Sequence, residues 1–87
     1  MQGHREWGEG KKAIEPTLKL LDEYGLAFSR TAIYLNLNRV NEATYSENTV
    51  RRAVNALEEE EFLEVLDEND AYVVITDVGR EYLESKD

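Results

Sequence analysis

Asn48, Arg51, Arg52 and Asn55 follow one another at intervals of three, one and three in the stretch YSENTVRRAVNAL. On a helix these intervals gather all four side chains on one side. Guanidinium forks match the paired acceptors of guanine, and side-chain amides match the donor and acceptor of adenine. The set therefore has the chemistry to read base edges in a major groove. An ordinary solvated helix face carries the same residue types, so the surrounding elements must decide between the two.

Other chemistries find little to work with. The only histidine is His4 and there is no cysteine, which removes disulfides, thiolate nucleophiles and cysteine-based zinc sites together. A lone histidine makes no metal site. Asp67, Asn69 and Asp70 lack the central glycine of a calcium loop, and Val78 stands where a bidentate glutamate would be needed. With no glycine-rich phosphate loop and no paired-carboxylate pocket, neither an enzyme nor a cofactor nor a metal centre is expected. No pocket for a small-molecule effector is indicated.

The helix that would carry the reading residues spans 46–60. Ser46 is a good N-cap, because its hydroxyl can accept from an amide two or three residues on, and Glu47 adds favourable charge to the first turn. Val50, Ala53, Val54 and Leu57 form its apolar stripe, and Glu59 joins the polar face. The run Glu58 to Glu61 reads as a solvated helix end.

Upstream, residues 1–10 contain three glycines and no apolar period, so they read as a flexible arm. Trp7 within it is either an anchor on the domain edge or an exposed interface residue. A first helix is expected over Lys11 to Tyr24, with Ile14, Leu18 and Leu21 in its stripe, Thr17 beside them and Gly25 as its stop. Pro16 suits a first turn, so the regular part should begin near Glu15. Ser29 is a second N-cap, opening a short helix to about Leu37 with Ala32, Ile33 and Leu37 facing inward. Thr44 and Tyr45, in the connection that follows, suit a small strand.

Downstream, 62–66 and 71–76 form a hairpin around the turn formers Asp67, Glu68, Asn69 and Asp70. Alternation puts Val73 and Ile75 in the core and Tyr72 and Val74 outside. Asp77 should cap a last short helix, from which Val78 and Tyr82 return to the core.

Each helix has one apolar stripe and a lone hairpin is marginal, so all the elements must share a single core over 11–87. The expected fold class is mainly α with a small β-hairpin: a winged helix-turn-helix with a three-helix core, a two-stranded wing and a short C-terminal helix. In that arrangement the third helix enters the major groove. Arg30 and Arg39 flank the second helix, where such motifs cross the phosphate backbone. Ser46 and Thr49 sit at the start of the third helix and are the other candidate phosphate contacts.

The net charge of −9 is unevenly spread. The balance is −1 over 1–23, +2 over 24–56 and −10 over 57–87, so only the segment with the reading helix is positive. Acidic residues outnumber lysines 19 to 4, a bias that fits a salty cytoplasm. There, screening shortens the reach of charge to about 3 Å at 1 M salt, and distant carboxylates hardly repel a phosphate backbone. No apolar run is long enough to span a bilayer and no signal peptide is evident, so a cytoplasmic protein with no membrane partner is expected.

Trp7, LDEYGLAF (21–28), ATYSENTVRRAVNALEEEEFLEVLDE (43–68) and YVVITDVGREYL (72–83) together resemble the haloarchaeal phage-repressor-like winged-helix regulators over most of the chain. The resemblance implies transcriptional regulation by DNA binding, with Ser46, Thr49, Val50, Arg51 and Arg52 on the recognition helix. Three features depart from it. Glu61 replaces a glycine that ends the helix in a left-handed turn, at a cost of roughly 1 kcal/mol. Ala71 replaces a glycine of the wing, and the wing tip has no lysine or arginine. Binding would then fall to the third helix with Arg30 and Arg39.

The sequence thus points to a sequence-specific, repressor-like regulator of double-stranded DNA, reading bases with Asn48, Arg51, Arg52 and Asn55. A homodimer on two half-sites is compatible with this, built on Trp7, the first helix and exposed tyrosines, because the last helix is too short for a coiled coil. The alternative is a winged-helix protein-protein interaction module with an acidic face, acting in transcription or replication machinery.

Overall fold

The order of elements is set by where the chain can end each helix. A computed structural model describes residues 11–40, 44–66 and 72–85. The expected arm at 1–10 and the hairpin turn at 67–70 lie outside these residues. Helix α1 spans Lys11–Tyr24, α2 Arg30–Val40 and α3 Glu47–Glu59. Strands β1 (Leu63–Val65) and β2 (Val73–Ile75) follow, and α4 (Asp77–Ser85) closes the chain of elements. This is the expected winged helix, mainly helical with one antiparallel hairpin.

Helix α1 ends at Gly25, whose φ of +62° and N–H donation to the Leu21 carbonyl at 2.8 Å form a left-handed cap. Its start differs from expectation. Pro16 lies inside the helix, not at the edge of its regular part. Proline forfeits one backbone bond there, but Ala13 and Ile14 are buried, and their packing holds the first turn in place. Ser29 caps α2, accepting from the Ala32 N–H at 3.0 Å. That helix runs to Val40, three residues beyond the expected end, with Ile33 and Leu37 buried and Ala32 only partly so.

Thr44 and Tyr45 join no strand. Asn38 occupies the Tyr45 backbone on both sides, its Oδ1 accepting from the Tyr45 N–H at 2.7 Å and its Nδ2 donating to the Tyr45 carbonyl at 2.9 Å. The side-chain amide thus supplies the pairing that a neighbouring strand would have given. Phe28 takes the sheet position instead, exchanging two backbone bonds with Val73 at 3.0 and 2.9 Å.

The wing pairs Leu63 with Ile75, Glu64 with Val74 and Val65 with Val73. Val73 and Ile75 are buried as expected, and Tyr72 is exposed. Thr76, rather than Asp77, caps α4: its Oγ1 accepts from the Gly79 N–H at 3.1 Å and its carbonyl from the Arg80 N–H at 3.0 Å. Asp77 occupies the first helical position, where its charge suits the helix dipole. Val78 does not return to the core; it is 48% exposed, and the buried residue is Gly79. A Cβ at position 79 would stand 2.6 Å from the Phe62 carbonyl oxygen and 2.9 Å from Ile75 Cγ1, so α4 sits too close for any side chain there. Tyr82 stacks on Phe62 with ring centroids 4.8 Å apart.

The core gathers Ile14, Leu18 and Leu21 of α1, Ile33 and Leu37 of α2, Val50, Val54 and Leu57 of α3, and Phe62, Leu63, Val73 and Ile75 of the wing. Helix α1 packs against α2, α3, α4 and β2. No helix among the described residues is long and apolar enough to cross a membrane.

Two substitutions test these close fits by thermal unfolding. Gly79→Ala should destabilise the fold by about 1 to 3 kcal/mol through overpacking. Asn38→Ala should cost about 1 to 3 kcal/mol, because it strips both partners from the Tyr45 backbone.

Candidate nucleic-acid interface

Helix α3 has to be anchored on one side before it can present the other. Val50, Ala53, Val54 and Leu57 are at most 1% exposed, which fixes the rotation of the helix about its axis. Asn48, Arg51, Arg52, Asn55 and Glu59 all emerge on the solvent side, as the sequence pattern requires. The start is closed by Ser46, with φ −75° and ψ 157°, whose Oγ accepts from the Thr49 N–H at 3.0 Å. Ser46 also donates to Thr49 Oγ1 at 2.9 Å, so two of the four expected phosphate contacts form one hydroxyl pair at the helix N-terminus. With its unpaired amides and positive dipole end, a helix start of this kind suits an anion.

The end is closed by a left-handed turn. Glu61 has φ +66°, its N–H donates to the Glu58 carbonyl at 2.9 Å, and the Phe62 N–H donates to the Leu57 carbonyl at 2.9 Å. These are the paired 5→2 and 6→1 bonds that usually accompany glycine. A glutamate holds the position because Thr76 Oγ1 donates to the Glu61 carbonyl at 2.7 Å and the Thr76 N–H donates to the Phe62 carbonyl at 3.0 Å.

Arg30, the first residue of α2, reaches α3 rather than open solvent. Its Nη2 donates to Glu58 Oε1 at 2.9 Å and to Asn55 Oδ1 at 3.3 Å. The pair with Glu58 is three-quarters buried on both sides, at 24% and 21% side-chain exposure, where screening by solvent is reduced. The run of four carboxylates is therefore not wholly a solvated helix end, since Glu58 is largely buried and ion-paired. Arg51 Nη2 donates to Asn48 Oδ1 one turn back along α3. Arg39 is exposed in the last turn of α2, at the opposite end of that helix from Arg30.

The structure thus brings Asn48, Arg51, Arg52 and Asn55 onto one face, joins Arg30 to that face, and sets Ser46 and Thr49 at its N-terminal edge. Sequence reasoning did not find Glu58 or Asn38 as site-shaping residues. Glu58 falls three residues after Asn55, on the α2 side of the helix, which is the signal that would have separated it from its acidic neighbours. Nothing in the local pattern marked Asn38, whose partner is a backbone seven residues away.

A family model described as the ribonuclease R winged-helix domain matches residues 10–83. No curated protein and no solved structure matches the chain.

The turn that ends the exposed helix makes a direct prediction. Glu61→Gly should stabilise the protein by about 1 kcal/mol by relieving the left-handed conformation, read as a raised unfolding temperature.

Proposed function

The chain belongs to the ribonuclease R winged-helix domain family, and from that premise we propose that it is a sequence-specific, repressor-like regulator that binds double-stranded DNA through α3. One observation carries the reading: a helix rigidly seated by a buried stripe, with Asn48, Arg51, Arg52 and Asn55 on its solvent face. A winged helix commonly uses its third helix in this way, with the N-terminal part of the helix over base edges. Ser46, Thr49 and Arg39 contact phosphates in this reading. Arg30 is already engaged by Glu58 and Asn55 through Nη2, and a phosphate would compete with these two for its charge. The domain binds without catalysing a reaction, in a cytoplasm whose salt screens the acidic surface. Its regulatory role rests on the resemblance to the haloarchaeal phage-repressor-like family.

The local charge favours a second reading as a protein-protein interaction module. The balance of −10 over 57–87 covers the end of α3, the wing and α4, and such an acidic surface repels a phosphate backbone at low salt. A single basic protein held in stoichiometric complex, with no DNA binding at any salt, would favour this reading.

The two readings separate in a selection from random duplexes, followed by fluorescence anisotropy from low to molar potassium salt. An enriched motif is expected from the folded chain. Because the family is named for a ribonuclease, an RNA duplex is the right competitor; its deep, narrow major groove excludes a helix, so it should compete poorly. Arg52→Ala should weaken binding to the motif by about 1 to 3 kcal/mol and relax the preference at one base pair. An equal loss on every duplex would restrict Arg52 to phosphate.

A further inference from the structure

We infer that the α3 face selects guanine-rich DNA, because two arginines engage the side-chain oxygens of both reading asparagines. The inference rests on the DNA-binding reading above and deepens it. Arg30 Nη2 donates to Asn55 Oδ1 at 3.3 Å, and Arg51 Nη2 donates to Asn48 Oδ1. A guanidinium carries donors only, so each amide meets its arginine with oxygen, and Nδ2, with its two protons, is the group left to meet a base.

This orientation changes what an asparagine reads. Its usual match to adenine needs Oδ1 to accept from N6 while Nδ2 donates to N7. With the oxygen engaged, the outward group is a donor. Arg51 and Arg52 add only donors to the same face. In the major groove guanine offers two adjacent acceptors, N7 and O6, where thymine offers O4 alone beside its methyl group; adenine and cytosine each present an amino donor, which opposes a donor-only face. Glu59 is the acceptor on this side of α3, but it sits in the last turn, away from the N-terminal part that approaches base edges.

Arg30 is then a positioning residue. It lies on α2, touches no base, and fixes the Asn55 amide while Glu58 fixes Arg30 in turn, at 2.9 Å. Replacement by lysine keeps a positive charge beside Glu58 but loses the planar Nη2, whose two protons reach Glu58 and Asn55 in a fixed geometry. The Asn55 oxygen is released, and adenine becomes acceptable at one base pair.

The test uses the full chain. A motif selected from random duplexes should contain at least two guanines on one strand, and 7-deazaguanine at each should weaken binding about tenfold by removing the N7 acceptor. Arg30→Lys, shown to be folded by circular dichroism, should admit adenine at one position and leave the other positions and the salt dependence unchanged. A purely structural role for Arg30 would weaken all duplexes alike, and a phosphate contact would alter the salt slope; either result overturns the positioning assignment. A motif of A·T pairs, or one indifferent to 7-deazaguanine, overturns the guanine preference while leaving DNA binding intact. A folded protein that retains no duplex at any salt overturns the DNA-binding reading itself, and this inference with it.

Discussion

The left-handed turn at Glu61 and Phe62 is the constraint on which the rest of the molecule depends. It stops α3 after Glu59 and sends the chain straight into β1, so the wing is seated by the same few residues that end the helix. Phe62 faces the core there and stacks on Tyr82. Thr76 ties this corner to the other side of the hairpin: it donates from its backbone to Phe62, from its side chain to Glu61, and accepts from Gly79 at the start of α4. The α3–β1 junction and the β2–α4 junction thus meet at one threonine and one strained glutamate.

That corner gives α3 two separate duties. Its buried stripe belongs to the common core, and its exposed face is left to a partner. Because the core contact fixes rotation and both ends are capped, the backbone of α3 loses little further freedom when its exposed face engages a surface. Arg30 extends the same logic across elements. It restrains an amide on α3 from its place on α2, so the reading face is shaped by a residue outside the helix that reads.

The fold was legible because its signals are local and agree with one another. The stripe Val50, Ala53, Val54 and Leu57, the caps Ser29 and Ser46, the stop at Gly25 and the alternation through Val73 and Ile75 each follow from a few neighbouring residues. The differences arise where a distant partner decides. Tyr45 has strand-like composition, but Asn38 satisfies its backbone first, and Phe28 pairs with the sheet instead. Pro16 stands inside α1 because Ala13 and Ile14 have a core to enter. Thr76 outcompetes Asp77 as a cap because it also serves the Glu61 turn. Val78 is displaced from the core because the close approach of α4 places Gly79 there. At the candidate site, exposure of the four reading residues could be inferred from period alone, whereas the partners of the two amides, Arg30 for Asn55 and Arg51 for Asn48, follow from the packing of α2 on α3 and from rotamers along α3.

The acidic composition and the proposed partner pull in opposite directions, and their separation along the chain reconciles them. Carboxylates concentrate after Leu57, on the C-terminal end of α3, the wing and α4, while both arginines of α3 lie before it. The measurement that bears most directly on DNA binding through α3 is a titration of a selected duplex into the isotopically labelled protein, followed by backbone amide shifts at near-molar potassium salt. The account predicts that the largest changes run from Ser46 to Asn55, with little change at Glu64 or Val74 on the outer wing. Changes confined to the wing and α4, or none in a folded protein, would contradict it.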